Sequence, residues 1–156
     1  MTTSSNLRQE TTPDANLMFR PLAPVYAAAE PYALPLLRIV TGLWLLPHGL
    51  PKVSNFGGTA EFLGGLGYNP GWFWTTIVIL TEVVFGLMLA AGFLTRLAAL
   101  FIFIHLLNIV AYHWSNGFLW PAGGWEFPGL WAVAALVFLI RGGGYLSVDR
   151  AIGREI

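Results

Sequence analysis

Cysteine is absent from the chain. Disulfides, thiolate metal centres, iron–sulfur clusters and dithiol redox chemistry carried by its own side chains are therefore excluded. Charge is scarce too. Asp, Glu, Lys and Arg make up 10% of the 156 residues, against about 25% in an ordinary soluble domain. Neither sign is in excess, because eight basic residues balance eight acidic ones. No basic patch is available, so no nucleic-acid partner is expected. Residues 1–31 are polar and rich in Thr, Ser, Pro and Ala. They have no apolar run ahead of the Ala27-Ala28-Ala29 triplet, so no secretory signal is expected there.

What is present is apolar. Hydrophobic residues make up 56% of the chain and the mean hydropathy is +0.64. A soluble domain of this length cannot hide so much apolar surface, and a disordered chain is poor in it. The expectation is a single membrane domain over residues 32–149. Residues 1–31 read as a flexible or surface-lying cytoplasmic tail and 150–156 as a second, short one.

Four apolar segments divide that domain, at residues 33–50, 71–94, 97–114 and 127–140. A membrane helix needs about 20 apolar residues, with a range of roughly 17–25. The fourth segment is short, and spans if Arg141 snorkels and the helix extends toward Tyr145. Backbone groups in a bilayer must pair within their own segment, and the segments show no strict alternation, which favours helices over a barrel. The fold class expected is thus all-α, a four-helix transmembrane bundle. With the N-terminus inside, Arg8, Arg20, Arg96, Arg141, Arg150 and Arg154 all lie on the cytoplasmic side and Lys52 alone lies outside, so the topology reads N-in/C-in. Trp72, Trp74, Trp114, Trp120 and Trp125 then fall at or beyond the outer boundary, where such rings anchor. Residues 51–70, with five glycines, form a long outer loop after helix one, with a short interfacial helix near residues 59–63. Pro47 is expected to kink helix one, and Gly86 with Ala90 to form a packing notch.

The polar residues inside these segments are costly, at about 2.5–3.5 kcal/mol for a charge at a helix centre. They are not scattered. At 100° per residue, Arg38, Thr41, Leu45, His48 and Lys52 fall within an arc of roughly 80° on helix one. Thr75, Glu82 and Gly86 share a face of helix two. His105, Asn108 and Tyr112 share a face of helix three, with His113 at its edge. Counting depth along straight helices gives two layers: Arg38, Glu82, His105 and Asn108 at mid-bilayer, and His48, Lys52, Tyr112 and His113, joined by Glu126, nearer the outer face. Each residue has a plain reading as well. Arg38 snorkels to headgroups, Glu82 is a structural partner of Arg38, and His105 and Asn108 only join helices. Three aligned stripes nevertheless point to one polar cavity opening outward, able to hold a polar-headed hydrophobic molecule such as a quinone. Glu82 and His105 are the candidate proton-handling, catalytic pair. Arg38 is expected to hold Glu82, and His48, Lys52, Asn108, Tyr112 and His113 to bind the ligand.

Several of these residues also carry a resemblance. The run Leu37-Arg38-Ile39-Val40-Thr41-Gly42 followed by His48-Gly49-Leu50-Pro51-Lys52 resembles the first helix of DoxX-type membrane proteins. Glu82 in an apolar helix and the run Gly92-Phe93-Leu94-Thr95-Arg96-Leu97-Ala98-Ala99 resemble the second and third helices of that family. The ending Gly142-Gly143-Gly144-Tyr145-Leu146-Ser147-Val148-Asp149 resembles its glycine-rich tail leading to Ser-x-Asp, with Gly143 where the tail often has proline. The resemblance covers residues 32–149. It implies a four-helix protein of the bacterial inner membrane, named in the family as an oxidoreductase component after a subunit of a thiosulfate:quinone oxidoreductase. It also implies work beside soluble antioxidant enzymes or copper-peptide systems.

The leading expectation is a membrane component of a redox system, coupled to a quinone, with a soluble or membrane redox partner and self-association into a homo-oligomer both open. The alternative is a non-catalytic anchor or assembly factor that docks soluble redox enzymes through residues 1–31 and 141–156. A haem or copper site at His48 and His113 has only two firm ligands, so no metal is expected. A small transporter is a further alternative.

Overall fold

The architecture comes from a computed structural model, which describes residues 17–154. It is 79% helix, and the described residues contain no strand. The chain divides into two units, residues 1–33 and 34–156. The masked part of the expected N-terminal tail, residues 1–16, lies outside the described residues. The rest of that stretch is largely helical. A short 3-10 turn at Arg20–Leu22 leads into α1, Ala23–Leu43. Pro21 and Pro24 sit in the first turns, where a missing N–H costs nothing. The following Ala27-Ala28-Ala29-Glu30 run is made of strong helix formers. Helix one therefore begins ten residues before the point where the apolar segment starts.

Helix one breaks where proline requires it. α1 ends at Leu43 and α2 runs Leu46–Ser54, with Pro47 in its first turn. Pro47 has no N–H to continue the ladder, so His48 and Gly49 both donate to the Leu45 carbonyl instead. The expected outer loop is largely helical. α2 is followed by α3, Phe56–Gly65, leaving only Asn55 and residues 66–70 irregular. Four glycines in ten residues hide α3 from propensity, since each costs about 1 kcal/mol relative to alanine. Packing along α4 holds it as a helix: Gly71 meets the Ala60 backbone so closely that no side chain fits between them.

Helix two is continuous over Gly71–Ala91 but not uniform. α4, Gly71–Ile79, passes into a π-helical turn, Leu80–Phe85, and then α5, Gly86–Ala91. The Thr81 hydroxyl donates back to the Ile77 carbonyl at the turn. Gly92, in the left-handed conformation (φ 70°), ends α5, and α6 runs Thr95–His113. α7, Glu126–Arg141, has 16 residues, so at 1.5 Å per residue it is about 24 Å long, under the ~30 Å of a hydrocarbon core. It does not extend toward Tyr145, because Gly142 (φ 76°) turns the chain away. Among the described residues, three helices are long and apolar enough to cross a membrane: Arg20–Ser54, Gly71–Ala91 and Thr95–Asn116.

The core lies chiefly between α6 and α7, where Ala98, Ala99, Ala132 and Ala135 let the backbones approach around Ile102, Leu106, Trp131 and Phe138. The notch at Gly86 and Ala90 is real and is completed by Gly42 of α1. A Cβ at Gly86 would lie 2.9 Å from the Gly42 carbonyl oxygen, and one at Gly42 would lie 2.7 Å from the Ala90 nitrogen.

The residues after α7 lock the α5–α6 hairpin. Arg38, 1% exposed, donates from Nη1 to the Gly143 carbonyl and from Nη2 to that of Leu146 at 2.8 Å. The Asp149 carboxylate accepts from Leu94 N at 2.7 Å, Thr95 N at 2.9 Å and Thr95 Oγ1 at 2.6 Å. Asp149 N in turn donates to the Gly92 carbonyl. Ser147 caps the short helix α8, Val148–Ala151.

Candidate functional site

The π turn is the centre of the site. It carries Glu82, which is 2% exposed, and aims its carboxylate between two other helices. Oε2 lies 2.6 Å from Lys52 Nζ of α2, and Oε1 lies 3.0 Å from His105 Nε2 of α6. Such one-residue insertions into a helix recur at functional positions because they rotate a side chain off the regular face. Lys52 also donates to the His48 carbonyl at 2.8 Å. An ammonium has three N–H donors, and these two bonds use two of them. A buried carboxylate with a cationic partner and an imidazole is the arrangement that keeps a charge tolerable inside an apolar protein.

This cluster forms part of the wall of a cavity of about 410 Å³, within the roughly 300–1,000 Å³ usual for small-molecule sites. The walls are mostly apolar and aromatic, from Leu45 at the break before α2, Phe62 of α3 and Leu66 just after it, Trp74 and Val78 of α4, Phe101 and Ile104 of α6, and Trp131 of α7. The sequence-derived residues Glu82, His105, His48, Lys52, Asn108, Tyr112 and His113 all line the same cavity. His48 stands edge-on to Trp131 (centroids 5.6 Å apart), whose Nε1 donates to the Thr41 carbonyl at 3.1 Å. Asn108 donates to the Ile104 carbonyl at 2.8 Å, and Tyr68 OH donates to its Oδ1 at 3.4 Å. Tyr112 meets Phe62 edge-on. His113 Nδ1 is 2.6 Å from the Gly123 carbonyl oxygen, which makes Nδ1 the protonated nitrogen.

Arg38 is the exception. It does not line the cavity and does not hold Glu82; both hydrogen bonds of its guanidinium go to the turn after α7. Nor does it snorkel. Lys52 takes the place expected of it, because the break at Trp44 and Leu45 and the π turn both displace residues from the positions that straight helices give. Glu126 is not in the cluster either; its Oε2 accepts from Trp120 N at 3.2 Å. The sequence reading missed Tyr68, Trp131, Phe62 and Thr81 as cavity residues. Tyr68 falls in the expected outer loop and Phe62 in its expected short interfacial helix, neither of which carries a polar stripe, while Trp131 sits in the α7 apolar run and only its buried position distinguishes it. Among the described residues, no group of three or more His, Cys, Asp or Glu converges as a metal-ligand set.

The sequence model of the DoxX family matches residues 33–114, which holds the break in helix one, the π turn and all three members of the Lys52–Glu82–His105 cluster. The chain belongs to the DoxX family. Two relatives agree with this DoxX assignment. "Inner membrane protein YphA" of Escherichia coli (strain K12) is 33% identical over 131 residues, covering 80% of this chain and 94% of that protein. "Putative oxidoreductase CatD" of Bacillus subtilis (strain 168) is 26% identical over 115 residues, covering 73% and 82%. No solved structure matches the chain. The family, the YphA relative and the apolar helices together make this DoxX protein a multi-pass protein of the inner membrane.

Proposed function

We propose that this DoxX protein is a redox component of the inner membrane that binds a quinone-type ligand in the cavity and handles its protons. The carrying observation is the buried Glu82 carboxylate, shared between Lys52 and His105 at the wall of an otherwise apolar, aromatic-lined cavity. The relative named as an oxidoreductase supports a redox setting. In this reading all four helical segments span, α7 with Arg141 at its inner end, and both termini are cytoplasmic. The Trp-rich outer side then caps the cavity.

The residues fit such a ligand. Trp74 and Trp131, which line the cavity, would hold its ring, and the third N–H of Lys52 would be free to bind its carbonyl oxygen. Reduction of a quinone takes up two electrons and two protons. The electrons come from a partner redox protein. Protons are the business of this chain: Lys52 donates to the bound oxygen, and the Glu82–His105 pair behind it holds and returns a proton at Glu82 Oε1 or His105 Nε2. A carboxyl and an imidazole in direct contact are suited to this exchange.

The test is equilibrium binding of a quinone analogue to the purified full chain, compared with Glu82→Gln and His105→Ala. Saturable binding by the native chain that weakens at least tenfold in either variant supports the assignment. Equal binding in all three removes these side chains from the mechanism, and no binding by the native chain removes the quinone.

A further inference from the structure

The frame of the cavity identifies the kind of ligand that fits. α3 packs along α4, and α6 packs along α7, but helix two meets α6 chiefly through α5 and the π turn rather than through α4. There Phe85 and Phe101 stack, with centroids 4.6 Å apart and planes 14° from parallel. Between this stack and α3, Trp74 of α4 and Ile104 of α6 both line the cavity and are both more than a third exposed. One side chain reaches from one side to the other. Tyr68 packs edge-on against Trp74 (5.5 Å) and donates to Asn108 Oδ1 on the far side at 3.4 Å. That bond is exposed and long.

The geometry points to lateral access. A ligand dissolved in the bilayer reaches the Lys52–Glu82–His105 cluster through a slot between α4 and α6, and Tyr68 is its latch. This rests on the reading above that the cavity holds a ligand, and it deepens that reading by fixing the ligand's class: an amphiphile with a long hydrocarbon tail. A cavity of about 410 Å³ takes a ring headgroup and the first carbons of a tail. The remainder must lie somewhere apolar, and the slot, edged by Trp74, Ile104 and Phe101, leads from the cavity to the exposed flank between the two spanning helices. Tyr68 and Asn108 are the polar groups of that frame, so their bond must open for a head to pass and re-form over a tail only by swinging aside.

The experiment uses the absence of native cysteine. Tyr68→Cys and Asn108→Cys together, in the full chain in bilayer nanodiscs, give a unique thiol pair that a short bifunctional thiosulfonate bridges and reductant releases. Association of a decyl-tailed benzoquinone is followed by quenching of the cavity tryptophans, with a tail-free benzoquinone as the second probe. Bridging is expected to slow the decyl probe at least tenfold and the tail-free probe less than threefold, with reductant restoring both. Unchanged association of the decyl probe in the bridged protein overturns the slot as the route. Equal slowing of both probes also overturns it, because the bridge has then distorted the site rather than closed one path. If the native chain shows no saturable quenching with either probe, the quinone reading itself fails and the access route falls with it. Tyr68→Phe gives an independent check that needs no bridge. Loss of the latch bond is expected to raise association and dissociation rates together, severalfold, with little change in Kd, and unchanged rates contradict a latch.

Discussion

Replacing Lys52 by Met isolates what holds the buried carboxylate. The side chain keeps its length and its packing, but Glu82 loses the 2.6 Å ion pair and is left with His105 alone. Removing one member of a buried pair costs about 3–5 kcal/mol, because the other charge stays behind unpaired. The lower end applies here, about 3 kcal/mol, since Lys52 is 30% exposed and His105 remains within 3.0 Å. For a chain of 150–250 residues, each kcal/mol moves Tm by about 2–4 °C, so Lys52→Met is expected to lower Tm by about 6–12 °C. Removing the carboxylate as well, in Lys52→Met with Glu82→Leu, takes away the stranded charge, and replacing both members of a buried pair by apolar groups is often neutral or better. The double variant is therefore expected to be more stable than Lys52→Met alone. The assay is thermal unfolding of the full chain in nanodiscs, followed by circular dichroism. A Lys52→Met variant within 1 °C of the native chain, or a double variant less stable than the single one, refutes the idea that Lys52 neutralises Glu82 in the folded protein.

Other outcomes follow from the same geometry. Asp149→Ala leaves two amides and a hydroxyl without their acceptor; at about 1.5–3 kcal/mol for a bond to a charged group, the loss is expected to reach at least about 3 kcal/mol, read as lower Tm and faster amide exchange at Leu94 and Thr95. Gly42→Ala pushes a Cβ into the Gly86 and Ala90 backbone and is expected to cost about 1–3 kcal/mol, whereas Gly57→Ala, with nothing within 4 Å, is expected to stabilise α3 by up to about 1 kcal/mol; the two unfolding curves decide. Trp131→Phe gives up the bond to the Thr41 carbonyl, about 1 kcal/mol of stability, and is expected to remove much of the quinone-dependent fluorescence quenching.

The helical class and the approximate positions of the apolar segments were readable because long apolar runs with few charges have one solution in a bilayer. Seven of the eight candidate residues lie around one cavity because a helical stripe of polar groups survives moderate bending. Partner assignment did not survive it. Arg38 and Glu82 fall at similar depth on ideal helices, but the break before Pro47 and the π turn at Glu82 each reset the register, and both depend on tertiary packing that a periodicity count does not contain. Lys52, placed by counting above the cluster, reaches into it. Only the middle of α3, residues 59–63, is legible as helix; its glycine-bearing ends, 56–58 and 64–65, are hidden because glycine lowers local propensity and packing along α4 holds them. The role of Asp149 is likewise tertiary, a carboxylate of the last turn meeting amides some fifty-five residues earlier in the chain.

The central claim is that the Lys52–Glu82–His105 cluster faces a redox-active, tail-bearing ligand. A density map of the protein prepared in its native membrane lipids tests it most directly. The expected map shows a planar headgroup within hydrogen-bonding reach of Lys52 Nζ, against Trp74 and Trp131, with a tail leaving between α4 and α6. A cavity filled by collapsed side chains, or by an acyl chain with no polar group near Lys52, contradicts it.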